Sequence, residues 1–249
     1  MKKHYYLTVD TETTQDEKVV DFAAVLTDKH GNIITQCAVL VAEIYNDKKR
    51  HPLYTNNSAL WNKATLKRRY ARYETMLKSG ARMVGSVGAI NRWLTRALSQ
   101  YNPVLTAYNL PFDLEKCENT GIDLQMFSKS FCLWSAAYTK WGQSTQYRNF
   151  VLLTHAFNAP TKNGNMSYKT NAETMARFVL AAPDLADEPH TALEDILYYE
   201  LPILNKLLKT ESTKNLLGKL NKHYWRDTQA RNHFQAANCI WKPKGEKLR

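Results

Sequence analysis

Short apolar runs alternate with helical patterns along the chain, and this alternation predicts an α/β fold. β-favouring runs at residues 5–9, 19–27 and 33–41 predict three strands, the last two joined by a turn that contains Gly31 and Asn32. Three strands in such close succession predict a meander at the start of the sheet.

The pattern continues with shorter elements in the middle of the chain. Residues 104–107 predict a strand, residues 112–120 the helix behind it, closed by Gly121, and residues 131–134 a fifth strand. Residues 142–169 mix short apolar runs with a polar loop and receive no firm assignment.

A basic helix is predicted at residues 58–80, where apolar residues recur near helical spacing. Between them stand the basic residues Lys63, Lys67, Arg68, Arg69 and Arg72. Such a helix is either a solvated face or a surface that binds phosphates, and the sequence leaves both interpretations open.

Two helices are predicted near the end of the apolar pattern. The first covers residues 172–180, and the second begins near Thr191, which forms a T-x-x-E capping box with Glu194. Asp195 then lies in the first full turn, and Pro202 is expected to kink or loosen the helix because proline removes a backbone donor.

Composition narrows the class of protein. A chain of 249 residues with 44% hydrophobic content can bury one substantial core, and a net charge of +11 favours a polyanionic partner such as nucleic acid. The four cysteines show no zinc-ligand spacing, so reduced thiols are expected. No stretch approaches the ~20 apolar residues of a membrane span, so we expect a cytoplasmic protein with no membrane partner.

The candidate chemistry lies in three separate segments, LTVDTETT, AYNLPFD and PHTALED. They contain four carboxylates and one histidine: Asp10, Glu12, Asp113, His190 and Asp195. Asp10 and Glu12 are two apart on a predicted strand, so they share a face. A ligand set made of oxygen suits Mg²⁺ or Mn²⁺, and two such ions about 4 Å apart can support phosphodiester hydrolysis. His190, with an ordinary pKa near 6.5, is a candidate general base.

Each of these residues also has a simpler interpretation. Asp113 or Asp195 alone could favour a helix N-terminus, and His190 alone could be an ordinary loop histidine. Their joint occurrence, in order and each on a suitable element, favours a catalytic site.

The motifs DTET at residues 10–13, YNLPFD at 108–113 and HTALED at 190–195 resemble those of the DEDDh 3′→5′ exonucleases, the DnaQ-like group of the RNase H-like superfamily. The resemblance implies an RNase H-like mixed central sheet with a reversed second strand, flanked by helices. By position, it makes Asp10, Glu12, Asp113 and Asp195 the ligands of two Mg²⁺ or Mn²⁺ ions and His190 the general base. It also places Thr11, Thr13 and Asn109 near the terminal nucleotide of a single-stranded 3′ end. The chain departs from many relatives at Tyr108 and Gln15.

The implied organisation is an exonuclease domain at residues 1–208, with a basic helical insertion at about 43–88, and a basic, aromatic extension at 209–249. The extension could bind a single strand of nucleic acid along its length. Alternatively, it could form a terminal helix that packs on the core and is followed by a basic tail. The leading functional hypothesis is an exonuclease acting on DNA or RNA ends, with Lys67, Arg68, Arg69 and Arg72 contacting the strand. Alternatives are a nucleic-acid-binding or interaction module with an idle site and an endonuclease of RNase H type. Proofreading or repair would require a polymerase or a repair or processing partner in trans.

Overall fold

The computed structural model describes residues 4–14, 16–47, 63–159, 165–218, 220 and 233–235. The strands are β1 (Tyr5–Thr13), β2 (Val19–Asp28), β3 (Ile33–Val41), β4 (Met83–Gly85), β5 (Val104–Ala107), β6 (Ser130–Cys132), β7 (Asn165–Ser167) and β8 (His233–Gln235). The helices are α1 (Ala42–Tyr45), α2 (Lys63–Ser79), α3 (Val87–Tyr101), α4 (Leu110–Thr120), α5 (Leu133–Ala137), α6 (Thr145–Thr154), α7 (Ala172–Leu180), α8 (Ala192–Asp195), α9 (Leu201–Thr210) and α10 (Thr213–Leu217). Two π-helical turns, Tyr138–Gly142 and Ile196–Glu200, follow α5 and α8.

Six strands form one mixed sheet in the order β4-β3-β2-β1-β5-β6. β2 runs antiparallel to both β1 and β3, whereas the pairs β1–β5, β5–β6 and β3–β4 are parallel. The prediction of an α/β fold with a mixed central sheet and a reversed second strand is therefore confirmed.

Helices cover both faces of this sheet. Alternate residues of one strand enter different apolar clusters, as Ala23 and Ala24 of β2 do, because successive side chains of a strand point to opposite faces. One cluster packs the sheet against α5, α6, α7 and α9, and the other packs it against α3 and α4. β1 lies in the interior of the sheet, so the acidic residues at its carboxyl end are surrounded by protein.

Most predicted elements are present, with shifted boundaries. β1 continues past the predicted end at residue 9 and carries Asp10 and Glu12 within the strand. The basic helix is present as α2, and the unassigned stretch 142–169 contains α6 and β7. β4 falls within the stretch assigned to the basic insertion, yet it pairs with β3 as an edge strand.

The start of the C-terminal extension packs against the domain. The hydroxyl groups of Thr213 and Tyr6 are 2.7 Å apart, and Leu216 and Leu220 are buried in the core. Residues 221–232 and 236–249, which carry much of the predicted single-strand track, lie outside the described residues. Within the described part of the chain, no helix is long and apolar enough to cross a membrane.

Candidate metal centre

The carboxyl end of β1 supplies the first two carboxylates. Asp10 pairs with Ala23 and Glu12 with Asp21 on the antiparallel strand β2, and Glu12 is 6% exposed. The pKa of Asp10 is raised well above its ordinary value, first by burial and then by the neighbouring carboxylates of Glu200, Asp113, Asp195 and Glu12. Sequence segments far apart in the chain therefore converge on Asp10.

Helix α4 delivers Asp113 to the same place. The helix begins after Asn109, whose φ of +80° lies in the left-handed region that asparagine tolerates better than most residues. Asp113 is 2% exposed, and burial raises its pKa to about 7 although a hydrogen bond from the Thr11 hydroxyl opposes the rise.

Thr11 holds one of the carboxylates in place. Its hydroxyl donates to Asp113 Oδ1 at 2.8 Å, and the residue is 5% exposed. Thr11 therefore orients a carboxylate of the site, and its contact with a nucleotide stays a prediction. Thr13 is buried as well, whereas Asn109 is partly exposed and its Oδ1 has no hydrogen-bond partner among the described residues.

His190 lies on a loop that is bound to the rest of the fold at several points. Its φ of +53° is left-handed, and the residue is exposed. Three carbonyls of the preceding loop accept hydrogen bonds. Arg177 Nε donates to Leu185 O at 2.9 Å, the Tyr199 hydroxyl donates to Ala186 O at 2.8 Å, and Arg72 Nη1 donates to Pro189 O at 2.8 Å. These bonds hold the loop in the conformation that presents the imidazole.

The start of α8 is where the sequence predicts it, but the predicted capping box is wrong. The Thr191 side chain makes no capping hydrogen bond. Instead, Asp21 Oδ2 accepts from the Ala192 N–H at 3.1 Å, and Glu194 forms an ion pair with Arg82 at 2.5 Å. A carboxylate from β2 thus caps the helix that carries Asp195.

Arg82 is the centre of a buried ion-pair network. Its Nε lies 3.1 Å from Asp21 Oδ1, its guanidinium also contacts Glu194, and the Tyr73 hydroxyl donates to Asp21 Oδ2 at 3.1 Å. Burial raises the pKa of Asp21, and the charge of Arg82 partly offsets that rise. We call Asp21, Tyr73, Arg82 and Glu194 the neutralised cluster.

Glu12, His190 and Asp195 meet closely enough to share a cation. Each offers a ligand atom, and these atoms all lie within 4.8 Å of one another. Burial, followed by the charges of Glu188 and Glu12, raises the pKa of Asp195 to about 9, and its Oδ1 has no hydrogen-bond partner in the described part of the chain. The three side chains could hold a metal ion.

One carboxylate of the site was not predicted from the sequence. Glu200, at the end of the second π-helical turn, is 2% exposed, and Asp113, Glu188 and Asp195 are among the groups that raise its pKa, after burial itself. The available signal was a single acidic residue in the apolar run ILYYELPIL, two residues before Pro202. We call Asp10, Glu12, Asp113, Asp195 and Glu200 the acidic cluster.

The basic helix α2 borders this site at one of the four predicted strand-binding residues. Arg72 is exposed and donates to Pro189 O, next to His190. The side chains of Lys67, Arg68 and Arg69 lie outside the described residues. Between α2 and the His190 loop is a groove of about 820 Å³, lined in part by Arg72, Pro189 and Tyr198.

Comparisons of the chain with protein-family models, with curated proteins and with solved structures found no match.

Proposed function

We propose that the protein is a metal-dependent 3′→5′ exonuclease of RNase H-like fold, which hydrolyses phosphodiester bonds at single-stranded 3′ ends of DNA or RNA and releases nucleoside monophosphates. The observation that carries the proposal is the convergence of Asp10, Glu12, Asp113 and Asp195 from three distant segments, with His190 beside Glu12 and Asp195. The mixed sheet with its reversed second strand also supports it.

The donor set fits divalent cations. Carboxylate oxygens are the ligands that Mg²⁺ and Mn²⁺ prefer, and Asp195 Oδ1 has no other partner among the described residues. Mutual repulsion contributes to the raised pKa of Asp10, so a positive charge placed among these groups would be stabilised. Asp10, Glu12, Asp113 and Asp195 would hold two such ions, which when bound would supply positive charge for activating water and for stabilising the leaving oxygen.

His190 would act on the attacking water. A neutral imidazole can accept a proton near neutral pH, and the hydrogen-bonded loop presents that imidazole at the exposed side of the site. The same proximity to Glu12 and Asp195 would also let the imidazole bind a cation. The Mn²⁺ affinity of a His190 variant separates these two roles.

The substrate strand would approach along the groove beside His190, whose largely apolar lining has Arg72, Asp187 and Glu194 as its charged residues. The chain carries a net charge of +11, and the groove beside His190 is lined by Arg72 and by Tyr198, which is 59% exposed. Cations that meet phosphates and rings that stack on bases are the usual contacts of single-stranded nucleic acid.

The test uses single-stranded DNA and RNA oligonucleotides labelled at the 5′ or the 3′ end, with Mg²⁺ or Mn²⁺. We expect the 5′-labelled strand to shorten stepwise and the 3′ label to leave as a mononucleotide, with no turnover in EDTA or by Asp113→Ala. Internal cuts would support an endonuclease instead. Binding without hydrolysis under every metal condition would support the idle-site module and contradict the proposal.

A further inference from the structure

Glu200 is held at the acidic cluster by an unusual turn. The Leu201 N–H bonds to the Ile196 carbonyl, which closes a five-residue π turn directly before Pro202. Proline lacks an N–H and clashes with the carbonyl of the residue four before it, and a wider turn relieves both problems. Because a π turn stacks residues five apart, Glu200 is brought toward the face that carries Asp195.

The register of β1 and β5, together with a contact to Glu200 just after β5, shows that Glu200 lies near Asp10. Thr8 pairs with Thr106 in this parallel pair, so Asp10 and Tyr108 both lie two residues farther along, at the same end of the sheet. The Tyr108 N–H reaches Glu200 Oε1 at 3.4 Å. The Glu200 carboxylate therefore lies next to the end of β5, beside the end of β1 that carries Asp10.

The hydrogen bonding of Glu200 is incomplete. The contact from Tyr108 is long for a hydrogen bond, and Glu200 Oε2 has no partner among the described residues although the side chain is buried. A buried polar atom without a partner costs free energy, and native proteins usually satisfy such atoms with a protein group, water or an ion. Asp195 Oδ1 shares this condition.

We propose that Glu200 is a fifth carboxylate ligand of the cation site, placed there by the π turn and completed by the ion in place of a protein donor. The inference rests on the cations of the proposed function, but not on nuclease activity. It predicts a ligand set larger than the three sequence motifs contain.

The test is Mn²⁺ binding to the full chain by calorimetry and by the electron paramagnetic resonance of free Mn²⁺. Glu200→Gln keeps the shape of the side chain but removes the charge, and we expect Mn²⁺ to bind at least about tenfold more weakly, in line with the effect of disturbing a metal's ligand surroundings. Glu211→Gln is the matched control, since Glu211 is a mostly buried glutamate paired with Lys140, and it should bind Mn²⁺ as the wild type does.

A second variant separates ligation from a general effect of charge. Glu200→Asp retains the charge but withdraws the carboxylate by one methylene, so a ligand should lose Mn²⁺ affinity whereas a remote charge should retain it. Thermal melts in EDTA check that each variant folds. If Glu200→Gln does not fold, the Mn²⁺ affinity of Glu200→Asp alone decides the test. Wild-type affinity in both variants, or tighter binding in Glu200→Gln, would overturn the inference. A wild type that binds Mn²⁺ but cuts no oligonucleotide would overturn the proposed function alone.

Discussion

Two groups of buried carboxylates border α8, and they differ in how their charges are satisfied. In the neutralised cluster, Asp21 accepts hydrogen bonds from Arg82, from the Tyr73 hydroxyl and from the Ala192 N–H. In the acidic cluster, Asp195 Oδ1 and Glu200 Oε2 have no hydrogen-bond partner among the described residues. Burial raises the pKa of carboxylates in both clusters, so neither burial nor a raised pKa distinguishes a cation site from a structural one. The incomplete hydrogen bonding does.

The two clusters are also mechanically connected. Asp21 pairs directly with Glu12 across β2 and β1, and it caps the helix on which Asp195 lies. The neutralised cluster therefore fixes the spacing between two groups of the acidic cluster. Changes in the acidic cluster should remove activity and leave the fold intact, whereas changes in the neutralised cluster should weaken the fold first.

Asp113→Asn tests most directly whether a change in the acidic cluster removes activity but leaves the fold intact. The change should abolish hydrolysis because the cation loses a ligand, yet the metal-free protein should be as stable as the wild type or more stable, since one buried charge is removed. Saturating Mn²⁺ stabilises a folded protein by mass action, by about 2.7 kcal/mol at 100 times its dissociation constant, and this gain should shrink in the variant. Thermal melts in EDTA and in a Mn²⁺ series measure both effects. Equal metal shifts in the two proteins would place Asp113 outside the cation site.

His190→Ala should lower the rate by about 10²- to 10⁴-fold, the usual contribution of a general base. The variant should bind Mn²⁺ normally, because a general base acts on the rate and not on the affinity for the cation. His155→Ala is the matched control, because His155 is also exposed and has the same φ of +53°. If His190→Ala instead loses Mn²⁺ affinity, the imidazole is a ligand.

Arg82→Met should cost about 3–5 kcal/mol of stability, since it leaves the buried Asp21 and the partly buried Glu194 without their cation. Urea denaturation in EDTA measures this cost. The control is Lys140→Met, which breaks an ion pair with Glu211 and should cost less, because the lysine is 32% exposed and Asn215 Nδ2 still donates to Glu211. Similar costs for the two variants would mean that Arg82 is not essential to the fold.

Local patterns predicted much of the fold. β3, β5 and α7 lie within the predicted bounds because each is a continuous apolar or amphipathic run with clear breakers at its ends. β4 was missed because it has three residues and exposes Met83 and Val84, so it has no burial pattern. Helix α3 falls between the stretches for which the sequence pattern predicts elements.

The candidate site depends on long-range contacts that local sequence patterns do not reveal. The start of α8 was predicted correctly, but its cap is Asp21, 171 residues away in the chain, and a local capping box cannot reveal such a partner. The sequence also predicted that Pro202 would loosen the helix, and the structure has a π turn there. That the loosened turn directs Glu200 toward Asp195 depends on the three-dimensional path of the chain.

The stability of the metal-free protein should fall as pH rises from about 5 to 9. Asp113 and Asp195 have folded-state pKa values of about 7 and about 9, against about 3.9 for an aspartate in an unfolded chain. Between these values the folded state binds more protons than the unfolded state, so raising the pH favours unfolding. Urea denaturation in EDTA measures the slope, and saturating Mg²⁺ should flatten it because the cation binds the ionised carboxylates. Stability that rises with pH in EDTA would contradict the repulsion inferred for the acidic cluster.

The smallest expected effect concerns the two parts of the basic helix α2. Lys67, Arg68 and Arg69 are predicted to bind phosphates, and their combined replacement by glutamine should reduce the slope of log affinity against log salt by about one unit for each phosphate that is no longer neutralised. Turnover of a dinucleotide, which has a single phosphodiester bond, should not change in that triple variant. Arg72→Gln should behave differently, because Arg72 donates to Pro189 O beside His190. Loss of one exposed hydrogen bond costs about 1 kcal/mol, so dinucleotide turnover should fall only a few fold through a looser His190 loop. Equal effects of the triple variant and Arg72→Gln on both the salt slope and dinucleotide turnover would show that α2 acts as one uniform surface and that its bond to the His190 loop has no part in catalysis.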